Sequence, residues 1–336
     1  MKWREELVAE IERLRPDRVF VLTDSNVSPL FRWDGTVIVV PAGEESKSLD
    51  TLAGVWEDLS SMGATRRSLL VNIGGGVVSD LGGFAAATFK RGIRFVNVPT
   101  TLLAMSDAAI GGKTGIDFGG LKNEVGAFRM PERVIVDASW LATLPQNQMR
   151  EGLAEVVKSA LLGSEAVYDE LLNLPGTLTA NNVGQAAEWS ARFKEEVVAR
   201  DPHENGLRRI LNLGHTAGHA FESLAARVDK PIGHGTAVAH GLLVALKLSE
   251  RLTGLSPGVA NEYEQKILNR FYPALPSECR DVRELVGIMA HDKKNPAAGE
   301  ISFVLLRAVG EPVEAVHVDQ KILLSEGILE ERCLLH

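Results

Sequence analysis

The pattern of hydrophobic and polar positions changes character near Thr143, and that change divides the chain. Before it, short apolar runs at Arg18–Thr23, Thr36–Val40, Ser68–Ile73, Phe95–Val98 and Val134–Val136 predict buried strands. Helical patterns lie between and before them: residues 1–14, with Leu7, Ile11 and Leu14 on one face, and Leu49–Met62. Strands alternating with helices predict a mainly parallel α/β sheet. Beyond Thr143 the helical period takes over at Gln146–Leu171, Gly184–Val198, His215–Leu224 and Gly235–Leu252. A late run, Ile301–Leu306, is β-like and suits a small hairpin. The expected organisation is an α/β domain over residues 1–143 and a mainly helical domain over residues 144–336, without internal repeats or a long linker.

Composition narrows the function classes. With 336 residues there is room for two domains and a sizeable core. A net charge of -8 argues against a general nucleic-acid binder, which needs basic charge facing phosphate. Local lysines can still hold a small anion in an acidic protein. The charged start, Met1-Lys2-Trp3-Arg4-Glu5-Glu6, has no apolar core of a secretory signal. No uncharged apolar run approaches the ~18 residues that would span a bilayer. Cys279 and Cys333 belong to no Cys-x-x-Cys pattern and read as isolated thiols. A cytoplasmic protein is expected.

Candidate chemistry concentrates in a few segments. Three of the eight histidines, His215, His219 and His234, fall within twenty positions among glycines. Neutral imidazole suits zinc and similar ions, and positions i and i+4 share a helix face, so His215 and His219 can address one site. Glu155, in Gly152-Leu153-Ala154-Glu155-Val156-Val157-Lys158, is wrapped in apolar residues. It is either half of a surface ion pair with Lys158 or a buried carboxylate that needs a cation. With two of the three histidines it would complete a two-histidine, one-carboxylate site with an open position. In the α/β half, Gly74-Gly75-Gly76 follows a strand and suits either a tight turn or close approach to a pyrophosphate at a helix N-terminus. The G-x-G-x-x-G fingerprint is not met, because position 79 is serine. Thr23-Asp24-Ser25-Asn26 sits where such sheets present ligand loops. Lys113 and Lys122-Asn123 lie in a glycine-rich stretch of low charge, which favours anion binding.

Taken together, these segments resemble the 3-dehydroquinate synthases, within the sugar-phosphate cyclases. The resemblance runs from about Thr23 to about Gly310 and is carried by Gly74–Asp80, Arg91–Phe95, Val98–Ala104, Gly111–Asp117, Lys122-Asn123, Gly152–Lys158, Arg208–His219 and His234-Gly235. It implies a Rossmann-like NAD-binding N-terminal domain and a mainly helical, metal-binding C-terminal domain, with the active site between them. It assigns the metal, zinc or cobalt, to Glu155, His215 and His234, and moves His219 to substrate phosphate. Phosphate contacts also fall on Lys113, Asn123 and Asn212, with Arg91 reaching across a homodimer interface. Lys158, Lys194, Arg208 and a lysine of Asp292-Lys293-Lys294-Asn295, taken as Lys293, match substrate positions. NAD contacts fall on Asp24, Asn26, Glu44, Lys47, Gly75, Gly76, Val77, Asp80, Thr100, Thr101, Asp107, Lys113, Lys122 and Thr143, and Asp107 and Lys113 also count among the catalytic positions.

The implied activity converts 3-deoxy-D-arabino-heptulosonate 7-phosphate to 3-dehydroquinate and phosphate, in the shikimate route to aromatic amino acids. Its chemistry is transient oxidation by NAD, phosphate elimination, re-reduction and aldol closure. The chain departs from the family pattern at Ser79, at Ser159-Ala160 (usually Tyr-Gly), at Pro202 (usually acidic) and at Thr236 (usually glutamate). A cyclase acting on a carboxylate-free sugar phosphate is the nearest rival, and a metal-dependent polyol dehydrogenase is the next. Arg208, at the carboxylate-binding position, favours the heptulosonate.

Overall fold

The computed structural model describes residues 2–291, 299–325 and 328–329. Lys293 and Cys333 lie outside them. The chain packs as two compact units. One runs to Leu144 and takes in Ala187–Glu195, and the other comprises Pro145–Ala186 and the residues from Glu196 onward.

In the first unit, helix α1 (Lys2–Leu14) leads into β1 (Val19–Asp24) and β2 (Thr36–Val40). Then follow α2 (Leu49–Ser61), β3 (Leu69–Gly74), α3 (Gly76–Thr88) and β4 (Arg94–Pro99). A two-stranded antiparallel hairpin, β5 (Lys113–Phe118) and β6 (Leu121–Phe128), precedes the short β7 (Arg133–Val134). All pairings of the five-stranded sheet are parallel, in the order β2-β1-β3-β4-β7. Its central strands are apolar on both faces because helices cover both sides, and every residue of β3 is buried. Phe20, Leu22, Leu70, Leu81, Phe84 and Phe95 belong to one core cluster. The strand order reverses between β1 and β3, and open α/β sheets bind ligands at the carboxyl ends of strands beside such a reversal.

Local differences from the sequence reading have physical causes. On α1 the buried face is Trp3, Leu7, Glu10 and Leu14, and Ile11 is only half-buried. Glu10 tolerates burial because Arg13, one turn on, donates to both its oxygens, with the shortest contact at 2.5 Å. The predicted strand at Val134–Val136 is reduced to Arg133–Val134.

The second unit is mainly helical. Its elements are α4 (Gln146–Gly163), α5 (Glu165–Leu172), the ends of α6 (Ala180–Arg200), α7 (His215–Arg227), α8 (His234–Leu252), the short α9 (Val259–Tyr263) and α10 (Asn269–Phe271), and α11 (Val282–Ala290). The continuous helix expected over Gln146–Leu171 breaks at Ser164, whose hydroxyl caps α5 by accepting from Val167 N. The late β-like run forms an antiparallel hairpin, β8 (Glu300–Ala308) with β9 (Glu311–Asp319). Helix α8 is buried along most of its length and packs against α4, α7 and β8. A Cβ at Gly241 would lie 2.0 Å from the Gly214 carbonyl oxygen, so glycine is what lets α7 and α8 approach so closely. Among the described residues, no helix is long and apolar enough to cross a membrane.

Candidate active site

In the first unit, the predicted nucleotide residues gather at the carboxyl ends of β1, β3 and β4. Asp24 closes β1, and its Oδ1 accepts from the Asn26 and Val27 amides at 2.8 and 3.0 Å, fixing the following turn. Beta strand β3 ends at Gly74, Gly75 is the N-cap of α3, and Gly76 and Val77 form its first turn. Gly75 has no side chain to accept from that turn, so its N–H groups remain available to an anion. Thr100 follows β4 and donates its amide to Gly74 O at 2.9 Å, while Thr101 Oγ1 accepts from Ala104 N at 3.1 Å.

Beside them lies a charge cluster. Lys47 Nζ is 2.9 Å from Asp80 Oδ2 and 3.5 Å from Glu44 Oε1. Burial pushes the Asp80 carboxyl up to about 6 against the pull of Lys47. Asp107 and Lys194 form a second pair, with Lys194 Nζ 2.6 Å from both Asp107 Oδ1 and its carbonyl oxygen. The β5–β6 hairpin carries Lys113 at its start and Lys122 and Asn123 on its return strand. Asn123 has φ +54° and donates its amide to Asp117 Oδ1 at 2.8 Å. Thr143 ends a 3-10 turn and bonds Trp140 O. Arg91 lies elsewhere. Helix α3 carries the chain about 20 Å from the glycines to the amino end of β4, and Arg91 is exposed there.

In the second unit, Glu155 of α4, His215 at the start of α7 and His234 at the start of α8 converge. One potential ligand atom from each lies within 4.8 Å of the other two. Nε2 of His215 and Nε2 of His234 are each 3.6 Å from Glu155 Oε1. The opposite ring nitrogens are engaged: His215 Nδ1 donates to Leu213 O and His234 Nδ1 to Glu222 Oε2, both at 3.2 Å. Both imidazoles therefore turn Nε2 inward, the arrangement that orients histidine ligands in metal sites. Burial, with Lys158 close by, holds His215 far below its ordinary value, so it is neutral and ready to coordinate. Burial also opposes charge on His234, but Glu155 and Glu222 outweigh it and push the ring up to about 10. The same negative field would draw a metal cation. A buried carboxylate and two inward nitrogens fit zinc or a similar ion.

Burial decides between the two readings of Glu155. It is fully buried, as is Lys158, whose Nζ pairs with Glu155 Oε2. The ring of His219 stands 5.3 Å from that of His215 and 6.1 Å from that of His234, at the edge of the cluster. Arg208 is buried, with one guanidinium nitrogen donating to Pro202 O at 2.9 Å. Asn212 Nδ2 donates to Glu204 Oε1 at 3.0 Å.

Residues 37–151 match the family described as 3-dehydroquinate synthase N-terminal, and residues 152–295 match 3-dehydroquinate synthase C-terminal. The chain belongs to the 3-dehydroquinate synthase family. It is 42% identical to the 3-dehydroquinate synthase of Parabacteroides distasonis, over 97% of this chain and 94% of that protein. Two solved cyclases share the fold. One is a 2-deoxy-scyllo-inosose synthase complexed with carbaglucose-6-phosphate, NAD+ and Co2+, with a TM-score of 0.80 and 26% identity, covering 97% of this chain and 94% of that one. The other is a 2-epi-5-epi-valiolone synthase from Streptomyces hygroscopicus with NAD+ and Zn2+ bound, with a TM-score of 0.81 and 25% identity, covering 91% and 89%.

Glu222 and Glu204 escaped the sequence reading. Glu222 lies seven residues after His215 and three after His219, on the same helical stripe, so its signal was present. Glu204 carried no such signal; it stands at φ +58° and accepts from Asn212 Nδ2.

Proposed function

We propose that this chain is a cytoplasmic 3-dehydroquinate synthase acting on 3-deoxy-D-arabino-heptulosonate 7-phosphate. The observation that carries the reading is the Glu155–His215–His234 cluster, built around a buried carboxylate, in a chain 42% identical to a named synthase over nearly its whole length. When bound, NAD supplies reversible hydride acceptance and the metal supplies Lewis acidity toward substrate hydroxyls. In this assignment residues 1–143 form the nucleotide domain and residues 144–336 the metal and substrate domain.

The chain's own residues have separable tasks. Asp24, Asn26, the Gly75–Val77 turn, Thr100, Thr101, Thr143 and the Glu44–Lys47–Asp80 cluster hold the dinucleotide, with Asp107, Lys113 and Lys122 alongside. Glu155, His215 and His234 hold the metal. Lys113, Asn123, Asn212 and His219 hold the phosphate, which takes the proton from the acidified carbon as it leaves. Arg208 grips the substrate carboxylate with a fork of donors. Lys158, Lys194 and Lys293 bind the remaining substrate oxygens, and holding one flexible molecule through several steps explains so many polar groups.

The working form in this reading is a homodimer. The family resemblance gives Arg91 a phosphate contact made to a second copy. The hairpin supports this, since it exposes Phe118, Leu121 and Phe128, each more than half accessible.

The test is phosphate release with NAD and Zn2+ present, comparing the heptulosonate phosphate with glucose 6-phosphate and sedoheptulose 7-phosphate. Turnover of the first alone, without NADH accumulation, is expected. Turnover of either carboxylate-free sugar instead would transfer the chain to another cyclase activity, and net NADH would make it a dehydrogenase.

A further inference from the structure

Helix α8 starts without a capping side chain of its own, because its N-cap is Gly233. The first N–H groups of a helix need acceptors, usually from a Ser, Thr, Asp or Asn at that position. Here the acceptor comes from another helix. Glu151 of α4 places Oε2 2.6 Å from the Gly235 amide and 3.3 Å from the Thr236 amide, and its Oε1 accepts from the Thr236 hydroxyl at 2.7 Å. A carboxylate there also complements the positive end of the helix dipole.

The backbone is cut to fit this contact. A Cβ on Gly233 would come within 2.3 Å of the Glu151 carboxylate, and one on Gly235 within 2.0 Å of the Glu151 carbonyl oxygen. His234 lies between the two glycines as the first residue of α8. Glu155 lies four residues after Glu151, on the same face of α4. One helix therefore supplies a proposed metal ligand and also the carboxylate that docks the backbone of a second.

We propose that Glu151 is a positioning residue for the metal centre: by capping α8 from α4, it sets the distance between His234 and Glu155. The inference rests on the metal reading of Glu155, His215 and His234. It also gives Thr236 a role, since the family resemblance puts a glutamate at that position. In this chain a hydroxyl at 236 and a carboxylate at 151 share the work.

The test is Co2+ titration of the full chain, followed by visible absorption, because cobalt bands report ligand geometry separately from fold stability. The panel is wild type, Glu151→Ala, Thr236→Val and the exchanged double variant Glu151→Ser with Thr236→Glu. Glu151→Ala is expected to weaken Co2+ binding about 10- to 100-fold and to shift the bands, as loss of a group that orients a ligand does. Thr236→Val should weaken it less, with a shift in the same direction. The double variant, which returns a carboxylate to the same helix terminus, should recover most of the affinity.

Glu151→Ala with wild-type affinity and spectrum, but a lower melting temperature of the metal-free protein, would reduce Glu151 to a structural cap and overturn the proposal. Should Glu151→Ala not fold, wild-type affinity and bands in Thr236→Val would overturn it instead. Failure of the wild type itself to bind Co2+ would remove the metal reading, a result distinguishable from any variant effect.

Discussion

Lys158 and Glu155, one turn apart on α4, form an ion pair that water does not reach: the lysine is 2% exposed and the carboxylate 0%. Both charges have lost their hydration, so each depends on compensating groups of the protein. Lys158→Met leaves Glu155 facing the His234 ring, which its field pushes up to about 10, so the metal-free protein should lose less than the ~3 kcal/mol of fully orphaning a buried charge. A metal on Glu155 would restore compensation, so the loss should shrink in excess Zn2+. Urea unfolding with and without Zn2+ measures both. Equal losses in the two conditions would mean that added Zn2+ does not reach Glu155.

The contact between His234 Nδ1 and Glu222 Oε2, at 3.2 Å, makes a second prediction. A carboxylate behind a ligating imidazole fixes its tautomer and strengthens its donor nitrogen. Glu222→Gln keeps the shape and an acceptor but loses the charge. Zinc affinity should fall about tenfold, and Glu222→Ala should cost more, up to about 100-fold. A competition titration against a chromogenic chelator reads this directly, and unchanged affinity in Glu222→Ala would refute it. His234→Ala, which removes the ligand itself, should abolish zinc retention and turnover together.

Lys47 and Asp80 predict a pH-dependent effect in the first unit. Burial raises Asp80 from 3.8 to about 6 although Lys47 is only 2.9 Å away. A carboxyl whose folded value lies above its unfolded one contributes less stability as pH climbs from about 4 through 6, because the unfolded chain ionises first. In Lys47→Met the carboxylate loses its cation, so this decline should extend to higher pH. The variant should therefore lose little at pH 5, where Asp80 is mostly neutral, and clearly more at pH 8. Urea midpoints at the two values check the sign. A uniform loss would show that Lys47 acts through packing instead of through Asp80. NAD binding, followed by titration, should weaken in parallel at pH 8.

How far the chain announced all this depends on where each signal resides. The sheet strands were legible because burial on both faces leaves continuous apolar runs, as in β3. The β5–β6 hairpin was not, since β6 is exposed almost throughout and carries no apolar alternation. It is written in backbone pairing, with Lys113 opposite Phe128 and Gly115 opposite Gly126. At the proposed metal cluster, the i,i+4 spacing of His215 and His219 pointed to a site, but the atoms that converge with Glu155 belong to His215 and His234. His215 and His234 each begin a helix, so the approach of α7 to α8 brings them together, and no local period encodes that. Glu151 was silent for a similar reason, because its main partners are amides on a helix 84 residues further along.

His240 makes the last prediction, on acid stability. It lies on α8, 4% exposed, with Nε2–H donating to the Pro273 carbonyl at 3.0 Å and the ring edge-on to Phe221. Its Nδ1 is buried without a hydrogen-bond partner among the described residues. Burial opposes a cation there and lowers the imidazole from 6.5 to about 4, with the Pro273 bond pulling weakly the other way. A base with a depressed folded value favours the unfolded chain once that chain can take up a proton. The stability tied to neutral His240 is therefore complete above about pH 6.5 and declines as pH falls toward 4. The slope approaches 1.4 kcal/mol per pH unit and the total roughly 3 kcal/mol. His240→Gln, which can still donate to Pro273 and does not titrate, should be less stable than wild type at pH 8 through imperfect packing. It should then lose less between pH 6.5 and 4.5, so the two stability curves converge or cross. Parallel curves over that interval, measured by urea unfolding of the metal-free protein, would show that His240 does not set the acid limb.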